Sequence, residues 1–432
     1  KEALNQAGEA DEKISKEKKI KPLEGIPCAI KDNILVEGVK CTSGSKILEN
    51  YTASYDAVAV KKLKEQGAVI LGKTNMDEFA MGSSNETSYF GPVKNPLDTT
   101  RVPGGSSGGA AAAVAMNGAL VSLGSDTGGS IRQPASFCGL VGLKPSYGAI
   151  SRHGLMALAS SLDIIGPIGN SVADVATVYR ALARPDAMDS TSIPQHERDA
   201  VTPRTPRVIG VPRSFFEHME GIERDVQENF EASLSRLEKA GYTLVDIDIP
   251  LAEHALAMYY IIQPAEASSN LARYDGIRFG LSADGSDVND AYIKTREEGF
   301  GHEVQRRILL GTFVLSHGYH DAYYNKAVAL RKHMKHEFQK LFNEVDAVVT
   351  PTTPTGAFVL GEKTHDPLAM YLSDMFTVPA NIAGIPALSV PSGHDANNMP
   401  LGLHIMGPCL EEETLFAIGE AFEQMTAEGR EL

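Results

Sequence analysis

Three serines that could act as nucleophiles lie in two glycine-rich loops of this 432-residue sequence. Ser106 and Ser107 belong to the segment Gly104–Gly109, and Ser130 ends the segment Gly124–Ser130. Glycines allow several backbone N–H groups to point at one position, and a helix that begins after the first loop would add its positive N-terminal end. Loops of this composition can bind a phosphate or the oxyanion of an acyl-transfer intermediate.

Acyl transfer is the use that these loops favour. A phosphate-binding P-loop requires Lys followed by Ser or Thr after its second glycine, and neither loop contains this pair. An oxyanion site requires a nucleophile beside the N–H donors, and serines are part of both loops. Phosphate binding and a purely structural Gly/Ser turn remain as alternatives.

A serine nucleophile needs a base, and the sequence offers two kinds. None of the twelve histidines lies between Ser43 and Ser151, so a histidine base would have to come from a distant segment. Lys31 follows the mostly apolar run Ile26–Ile30, which predicts a short buried strand that ends in a lysine. Burial would lower the pKa of Lys31 and leave a neutral amine. The alternative, an exposed Lys31 paired with Asp32, is the commoner arrangement for a lysine.

The two serine loops resemble the core motif of the amidase signature family. The similarity continues through the segments Gly139–Pro145 and Asp163–Pro167, in the order in which the family has them. The resemblance implies a Ser–cis-Ser–Lys catalytic set. In this set Ser130 would be the nucleophile, Ser106 would be the bridging serine in a cis peptide bond, and Lys31 would be the terminal base.

The same resemblance implies hydrolysis of an amide through a covalent intermediate. Neutral Lys31 would take a proton from Ser106, which would take one from Ser130 as Ser130 attacks the amide carbon. Ammonia would leave, and water would hydrolyse the acyl-serine. Asp126 and Arg132 would brace the second loop rather than react. The oxyanion would be held by backbone N–H groups of that loop, those of Thr127, Gly128, Gly129 and Ser130.

Residues 75–96 resemble one branch of this family, the A subunits of bacterial tRNA-dependent amidotransferases. The similar segments are Asn75–Ser84 and Tyr89–Pro92. By composition alone, a loop that lines a polar pocket and a capped helix with a turn fit this stretch equally well. The resemblance implies that the chain is a glutaminase, which supplies ammonia for the conversion of Glu-tRNA(Gln) to Gln-tRNA(Gln) and, in some bacteria, serves Asp-tRNA(Asn) too.

Two partners, subunits B and C of a heterotrimer, follow from this resemblance. The B subunit would activate the tRNA with ATP and Mg²⁺ and receive the ammonia, and the C subunit would wrap between the other two. The resemblance implies no cofactor and no metal in this chain, and it assigns tRNA mainly to the B subunit. The net charge of −15 agrees with that assignment, because it argues against a broad nucleic-acid surface.

Three residues far along the chain would recognise L-glutamine. The adjacent Arg306 and Arg307 by themselves indicate an exposed helix face. The resemblance instead implies that Arg307 binds the α-carboxylate of glutamine through two hydrogen bonds and that Asp374 binds the α-ammonium group. It also places Tyr259 in the pocket wall, with Tyr260 as the other candidate.

Two alternatives to the glutaminase function remain. The chain could be a stand-alone amidase that acts on another amide, or a non-catalytic scaffold subunit.

Helical and strand patterns alternate along the chain, which predicts an α/β fold. The resemblance implies a central mixed β-sheet of about eleven strands covered by α-helices, in one domain over residues 1–432. The polar, proline-bearing stretch 185–206 predicts an exposed connector. Local signals predict a small-residue helix over Ala110–Ala119, a helix with its N-cap at Ser171 and a strand over Thr243–Ile249.

The composition favours a cytoplasmic protein. No apolar run approaches the length of about 18 residues that predicts a transmembrane helix, and the N-terminus does not resemble a signal peptide. The four cysteines lack metal-binding spacing and are expected to be reduced thiols. Because the sequence begins with Lys rather than Met, it is expected to lack the start of the natural chain.

Overall fold

A ten-stranded mixed β-sheet forms the centre of the fold, in the order β2-β1-β3-β5-β4-β9-β10-β8-β6-β7. The computed structural model describes residues 2–16, 20–202, 204–217 and 221–428. The two ends of the sheet are parallel, and the strands between them pair antiparallel. The strands are β1 (Pro27–Lys31), β2 (Val69–Thr74), β3 (Val121–Asp126), β4 (Val141–Lys144), β5 (Ile164–Gly169), β6 (Val208–Val211), β7 (Thr243–Asp246), β8 (Ala347–Pro351), β9 (Ala387–His394) and β10 (Pro400–Met406).

Fifteen α-helices in the described residues cover this sheet or pack on one another. α5, α8 and α15 lie on the sheet, while α9, α11 and α12 pack mainly together. No helix in the described part of the chain combines the length and apolar character that a membrane span requires. The helices are α1 (Glu2–Ser15), α2 (Val58–Glu65), α3 (Gly108–Ala115), α4 (Arg132–Phe137), α5 (Val172–Leu182), α6 (Gln195–Asp199), α7 (Arg213–Glu217), α8 (Arg224–Lys239), α9 (Ala255–Asn270), α10 (Val288–Gly299), α11 (His302–Val314), α12 (Lys326–Leu341), α13 (Pro367–Leu372), α14 (Val378–Ala383) and α15 (Glu412–Glu428).

The sheet brings two polar strand ends together. Central strands such as β3 and β5 are buried along their whole length because helices and loops cover both faces. β1 and β3 are parallel neighbours, with Ile30 opposite Leu123. Their carboxyl ends therefore lie at the same edge of the sheet, where ligand sites of α/β proteins occur. Lys31 ends β1 there and Asp126 ends β3.

The predicted mixed sheet covered by helices is confirmed, as is the N-cap of α5. Ser171 Oγ accepts a hydrogen bond from Asp174 N at 3.2 Å. The small-residue helix α3 ends at Ala115, before the predicted Ala119, because Asn117 has a φ of +58° and turns the chain toward β3.

The strand predicted over Thr243–Ile249 is also shorter than expected. β7 ends at Asp246 because its partner strand β6 ends opposite it at Val211. Pro212 follows Val211 and cannot donate a backbone hydrogen bond to continue the ladder.

The described residues of the stretch 185–206 are largely exposed, as predicted, but hydrogen bonds attach them to the rest of the protein. The Asp189 carboxylate accepts a hydrogen bond from Arg152 N at 2.8 Å, and Arg198 Nη2 donates to Ala149 O at 2.7 Å. The strands before and after this connector belong to the same sheet. The assignment of all 432 residues to one domain stays a prediction.

We expect Ser171→Ala to lower the free energy of unfolding by about 1 kcal/mol, because the N–H of Asp174 loses its acceptor. Urea denaturation followed by circular dichroism measures the change as a lower midpoint. Ser235→Ala is the matched control, since Ser235 is exposed inside α8 and alanine is the better helix former. An equal loss in both variants would show that the cap does not contribute.

Candidate active site

Lys31 is fully buried at the end of β1. Its Nζ donates hydrogen bonds to Ser106 Oγ at 2.7 Å and to Ser125 Oγ at 2.9 Å. The predicted buried strand that ends in a lysine is therefore confirmed, and the alternative of an exposed pair with Asp32 is wrong. Asp32 pairs with Lys73 at 3.0 Å instead, because Lys73 lies on the neighbouring strand β2.

Burial lowers the pKa of Lys31 to about 7, from an ordinary value of 10.5. The carboxylates of Asp77, Asp126 and Asp163 act in the opposite direction, and burial outweighs them. Near neutral pH a large fraction of Lys31 is therefore the uncharged amine. In that form Nζ can accept a proton from Ser106 Oγ.

The two serine loops adjoin each other. The peptide bond between Gly105 and Ser106 is cis, as the resemblance to the amidase signature family implies. Ser107 links the loops, because its N–H donates to Ser130 O and its hydroxyl donates to Ser125 O, both at 3.1 Å. Ser106 is fully buried, whereas Ser130 is 8% exposed.

The second contact of the expected proton relay is not made. Among the hydrogen bonds of the described residues, none joins Ser130 Oγ to Ser106 Oγ. Catalytic contacts are often long without substrate and shorten when it binds. The roles of Ser130 as nucleophile and Ser106 as bridge therefore stay predictions.

Asp126 organises the Ser130 loop (residues 126–131). Its carboxylate accepts hydrogen bonds from Gly129 N at 2.9 Å and from Ile131 N at 3.1 Å, and the Arg132 guanidinium donates two more. Burial alone would raise the pKa of Asp126, but Arg132 and Asn381 hold it well below its ordinary value. An ionised Asp126 paired with Arg132 therefore braces the loop.

One of the predicted oxyanion donors, the N–H of Gly129, already forms a hydrogen bond within the loop. The N–H of Gly129 donates to Asp126, because an ionised carboxylate is a strong acceptor. In this structure the N–H of Gly129 is therefore not free, and its role in binding the oxyanion stays a prediction. Within the described part of the chain, the N–H groups of Thr127, Gly128 and Ser130 have no hydrogen-bond partner. These three remain the candidate donors.

Tyr259 packs directly on the Ser130 loop. A Cβ added to Gly128 would lie 2.8 Å from Tyr259 Cζ, and one added to Gly129 would lie 2.3 Å from Thr377 Oγ1. Side chains at either position would push the loop away from its neighbours. Gly129 also has a φ of +144°, which favours glycine.

Arg307 is buried, unlike its neighbour Arg306. The Arg307 side chain is 4% exposed, and that of Arg306 is 51% exposed. The exposed-face interpretation is therefore right for Arg306 and wrong for Arg307. Arg307 donates from Nε to Glu303 Oε1 and from Nη1 to Gln263 Oε1, both at 2.8 Å.

Two stacked tyrosines lie within cation–π distance of the Arg307 guanidinium group. The rings of Tyr260 and Tyr371 stack with 3.9 Å between centroids, and Arg307 Cζ lies 5.3 and 5.4 Å from them. Burial alone would lower the pKa of Arg307, but the tyrosines and Glu303 raise it above its ordinary value. Tyr259 and Tyr260 thus contact different groups, the Ser130 loop and Arg307 respectively, and the place of Tyr259 in the substrate pocket stays a prediction.

Asp374 is a buried carboxyl group in the same region. Its Oδ2 accepts a hydrogen bond from Ser83 Oγ at 2.9 Å. Burial raises the pKa of Asp374 to about 7, although Ser83 and Arg307 act in the opposite direction. Ser83 belongs to residues 75–88, which form a loop with one 3₁₀ turn at Glu78–Ala80. The interpretation of this stretch as a polar-pocket loop is therefore confirmed, and the capped helix is wrong.

Short chains of contacts connect these charged groups to the Ser130 loop. Thr377 Oγ1 donates to Gly128 O at 2.6 Å, and Thr377 N donates to Asp374 O at 3.1 Å. On the other side, the ring of Tyr259 lies 5.0 Å from that of Tyr260. A cavity of about 360 Å³, the size of a small-molecule site, opens beside Arg307; its lining includes Ser83, Glu303 and Tyr371 but neither Asp374 nor the Ser130 loop.

Sequence reasoning missed several residues that contact the predicted ones, among them Ser125, Glu303 and Gln263. Glu303 could have been found, because it precedes Arg307 by four residues on α11, the spacing of a helical salt bridge. Ser125 lies inside the second serine loop, next to the strand end. Gln263 gives no sequence signal, since its contact depends on how α9 packs against α11.

The histidine alternative for the base finds no support in the described residues. His404 is buried, and its ring nitrogens lie 2.9 Å from Arg132 Nη1 and 3.2 Å from Thr350 Oγ1. No histidine in the described ranges hydrogen bonds to Ser106 or Ser130. Lys31 is the base that the geometry offers.

This fold and this site are those of an amidase. The family model described as Amidase matches residues 1–416, and the chain belongs to this family. The predicted family membership is therefore confirmed. Membership of this family supports acyl transfer as the function of the serine loops, rather than phosphate binding or a purely structural turn.

Within that family, similar proteins are named as the A subunit of glutamyl-tRNA(Gln) amidotransferase. The one from Halothermothrix orenii is 54% identical over 93% of this chain and 85% of its own length. The one from Microcystis aeruginosa is 51% identical over 98% of this chain and 88% of its own. The crystal structure of the Thermotoga maritima protein of that name superimposes with a TM-score of 0.78 at 45% identity, and the match covers 93% of this chain and 83% of that one.

We expect Lys31→Met to slow the labelling of Ser130 by a fluorophosphonate roughly 100-fold or more, because the serine loses its general base. In the unchanged protein the labelling rate should fall as the pH drops through about 7, since Lys31 becomes protonated. Lys73→Met is the matched control, because Lys73 lies on the adjacent strand and contacts neither serine. Fast labelling of a folded Lys31→Met protein would exclude Lys31 as the base.

Proposed function

We propose that this chain is the glutaminase subunit of a tRNA-dependent amidotransferase. It hydrolyses L-glutamine through an acyl-serine intermediate and supplies the ammonia that converts Glu-tRNA(Gln) to Gln-tRNA(Gln) on a partner subunit. Relatives of this kind at 51% and 54% identity support the proposal. The observation that carries it is the pair of oppositely charged buried groups, Arg307 and Asp374, beside the Ser130 loop.

This pair suits a substrate with an α-carboxylate and an α-ammonium group. Arg307 is bonded through Nε and Nη1, and within the described residues its Nη2 has no partner, so Nη2 can bind the α-carboxylate. Asp374, when ionised, can bind the α-ammonium group. Buried charges are costly unless something compensates them, and an enzyme for uncharged amides would not need either one.

The proposed reaction starts from neutral Lys31. Its Nζ accepts the proton of Ser106 Oγ, 2.7 Å away, as Ser106 takes the proton of Ser130. Ser130 Oγ attacks the amide carbon, and the oxyanion receives hydrogen bonds from free N–H groups of the loop, such as those of Thr127 and Gly128. The proton returns to the leaving nitrogen, ammonia departs, and water releases glutamate from Ser130.

Subunits B and C complete the proposed enzyme. The B subunit would bind tRNA, ATP and Mg²⁺ and use the ammonia, the C subunit would wrap between the others, and this chain would need no cofactor of its own. The net charge of −15 supports this division, because it repels tRNA phosphates. The same chemistry would serve Asp-tRNA(Asn), and the cytoplasm is the proposed location.

The purified chain should release ammonia from L-glutamine slowly alone, and faster with subunits B and C and Glu-tRNA(Gln). Ser130→Ala should lower the rate of release at least about 100-fold, because no acyl-serine can form. Coupling to glutamate dehydrogenase measures the ammonia. Ammonium chloride should restore Gln-tRNA(Gln) formation by the Ser130→Ala complex, which shows that the complex still assembles.

Two outcomes of this experiment would contradict the proposal. Ammonia release from other amides but not from glutamine, independent of the partners, would indicate a stand-alone amidase. Full glutamine-dependent activity of the Ser130→Ala complex would indicate a scaffold protein whose serine does not react.

Truncated substrates test the two charged groups. Arg307→Ala should raise KM for L-glutamine about 10- to 100-fold, because a charge-assisted hydrogen bond is lost, but not KM for 4-aminobutanamide, which lacks the α-carboxylate. Asp374→Asn should raise KM for L-glutamine but not for glutaramic acid, which lacks the α-amino group. The measurement is steady-state ammonia release.

Arg224, an exposed arginine on α8 that is not part of the cavity lining, provides the control for this comparison, and Arg224→Ala should leave every KM within about twofold. An equal rise in KM for the complete and the truncated substrate would show that the substituted residue does not contact the group that the truncated substrate lacks.

A further inference from the structure

A second cavity, of about 500 Å³, lies between α12, the end of α14 and residues 408–409. Among its described lining residues there are four cationic side chains and no acidic one. The whole chain carries 55 acidic and 40 basic residues, so a cationic cavity does not follow from composition. The four cations are Arg204, Arg331, Lys332 and Lys335.

The two arginines are held by the protein. Arg204 Nε lies 3.0 Å from the carboxylate of Glu411. Arg331 donates from Nε to Ile382 O at 3.1 Å, and its terminal nitrogens donate to Ser161. These contacts fix the two guanidinium groups as parts of the cavity wall.

Lys332 and Lys335 are the cations that a ligand could use. Both are exposed on α12, and within the described ranges neither forms a hydrogen bond or an ion pair. A phosphate monoester carries a charge of about −1.5 to −2 at pH 7, which matches two lysine charges. Lysine is also a common ligand of phosphate, as a point charge.

The rest of the lining is largely apolar and contains two aromatic rings, those of Tyr147 and Phe342. The Tyr147 hydroxyl already donates to Ser160 O at 2.8 Å, and Arg152 Cζ lies over the ring, 5.2 Å from its centroid, so one face of the ring is left for a ligand. The volume lies within the usual range of small-molecule sites. A matching ligand has one phosphate group and one flat or apolar part.

We propose that this cavity binds a small phosphate-bearing molecule of the nucleotide type. The phosphate lies between Lys332 and Lys335, and the base lies against the apolar wall that Tyr147 and Phe342 form. This site is separate from the glutaminase site, so its test does not depend on glutamine hydrolysis.

Cys409 gives a direct readout of occupancy. It lies in the cavity wall and is the exposed cysteine of the chain, whereas the other three, Cys28, Cys41 and Cys138, are buried. AMP added to the full chain should slow the alkylation of Cys409 by N-ethylmaleimide, with half-protection at about 1 mM or below. Mass spectrometry of the Cys409 peptide measures the rate.

A pair of double variants tests the role of the two lysines. Lys332→Ala/Lys335→Ala should raise the AMP concentration for half-protection about tenfold or more, because two charge-assisted contacts are lost. Lys326→Ala/Lys340→Ala is the matched control, since these lysines lie on the same helix outside the cavity lining. It should leave protection unchanged.

Inorganic phosphate and adenosine separate the two parts of the probe. Weaker protection by both phosphate and adenosine than by AMP supports a site that recognises both the phosphate and the base. Adenosine that protects as well as AMP would overturn the proposal, because the lysines would then contribute nothing. An absence of protection by AMP at about 10 mM, or an equal loss in both double variants, would also overturn it.

Discussion

The buried ion pair between Asp126 and Arg132 is the interaction on which the Ser130 loop depends. Both side chains are fully buried, with 3.0 Å between Arg132 Nη2 and Asp126 Oδ1. Such a pair is favourable only when its remaining polar atoms also have partners. Here Asp126 binds Gly129 N and Asn381 Nδ2, and Arg132 reaches Thr377 O. Loss of one partner would leave an unpaired charge under the loop, at a cost of about 3–5 kcal/mol. The conformation of the loop is therefore not a property of its glycines alone.

The same ion pair influences the base. Asp126 is one of three carboxylates that raise the pKa of Lys31, and burial outweighs them all, so that the pKa falls to about 7. Arg132 neutralises part of the Asp126 charge, which limits how far that carboxylate can stabilise a protonated Lys31. A lysine that is largely neutral near pH 7 thus results from burial at a strand end where one of the three carboxylates, Asp126, is already paired.

Contiguous motifs made part of this arrangement predictable from the sequence. Lys31 follows an apolar strand, and the two serine loops carry Ser106 and Ser130, so local pattern and family resemblance sufficed to place them. Gly129 shows the limit, because the direction of its N–H is set by the Asp126 side chain and not by its own residue type. Gln263 and Tyr371 could not be found, since they meet Arg307 only after α9, α11 and α13 have packed. The early end of β7 likewise depends on the length of its partner strand.

Helix α9 contacts both Arg307 and the Ser130 loop. The sequence left open whether Tyr259 or Tyr260 belongs to the pocket, and in the structure the two contact different groups because successive residues of α9 point in different directions. Tyr259 packs on Gly128, while Tyr260 stacks on Tyr371 and contacts Arg307. Adjacent residues of a single helix therefore fix the distance between Arg307 and the Ser130 loop. Arg307 would bind the α-carboxylate, and N–H groups of the loop would bind the oxyanion. A fixed separation is what places an amide carbon at a nucleophile, because small errors in position lower the rate of attack strongly.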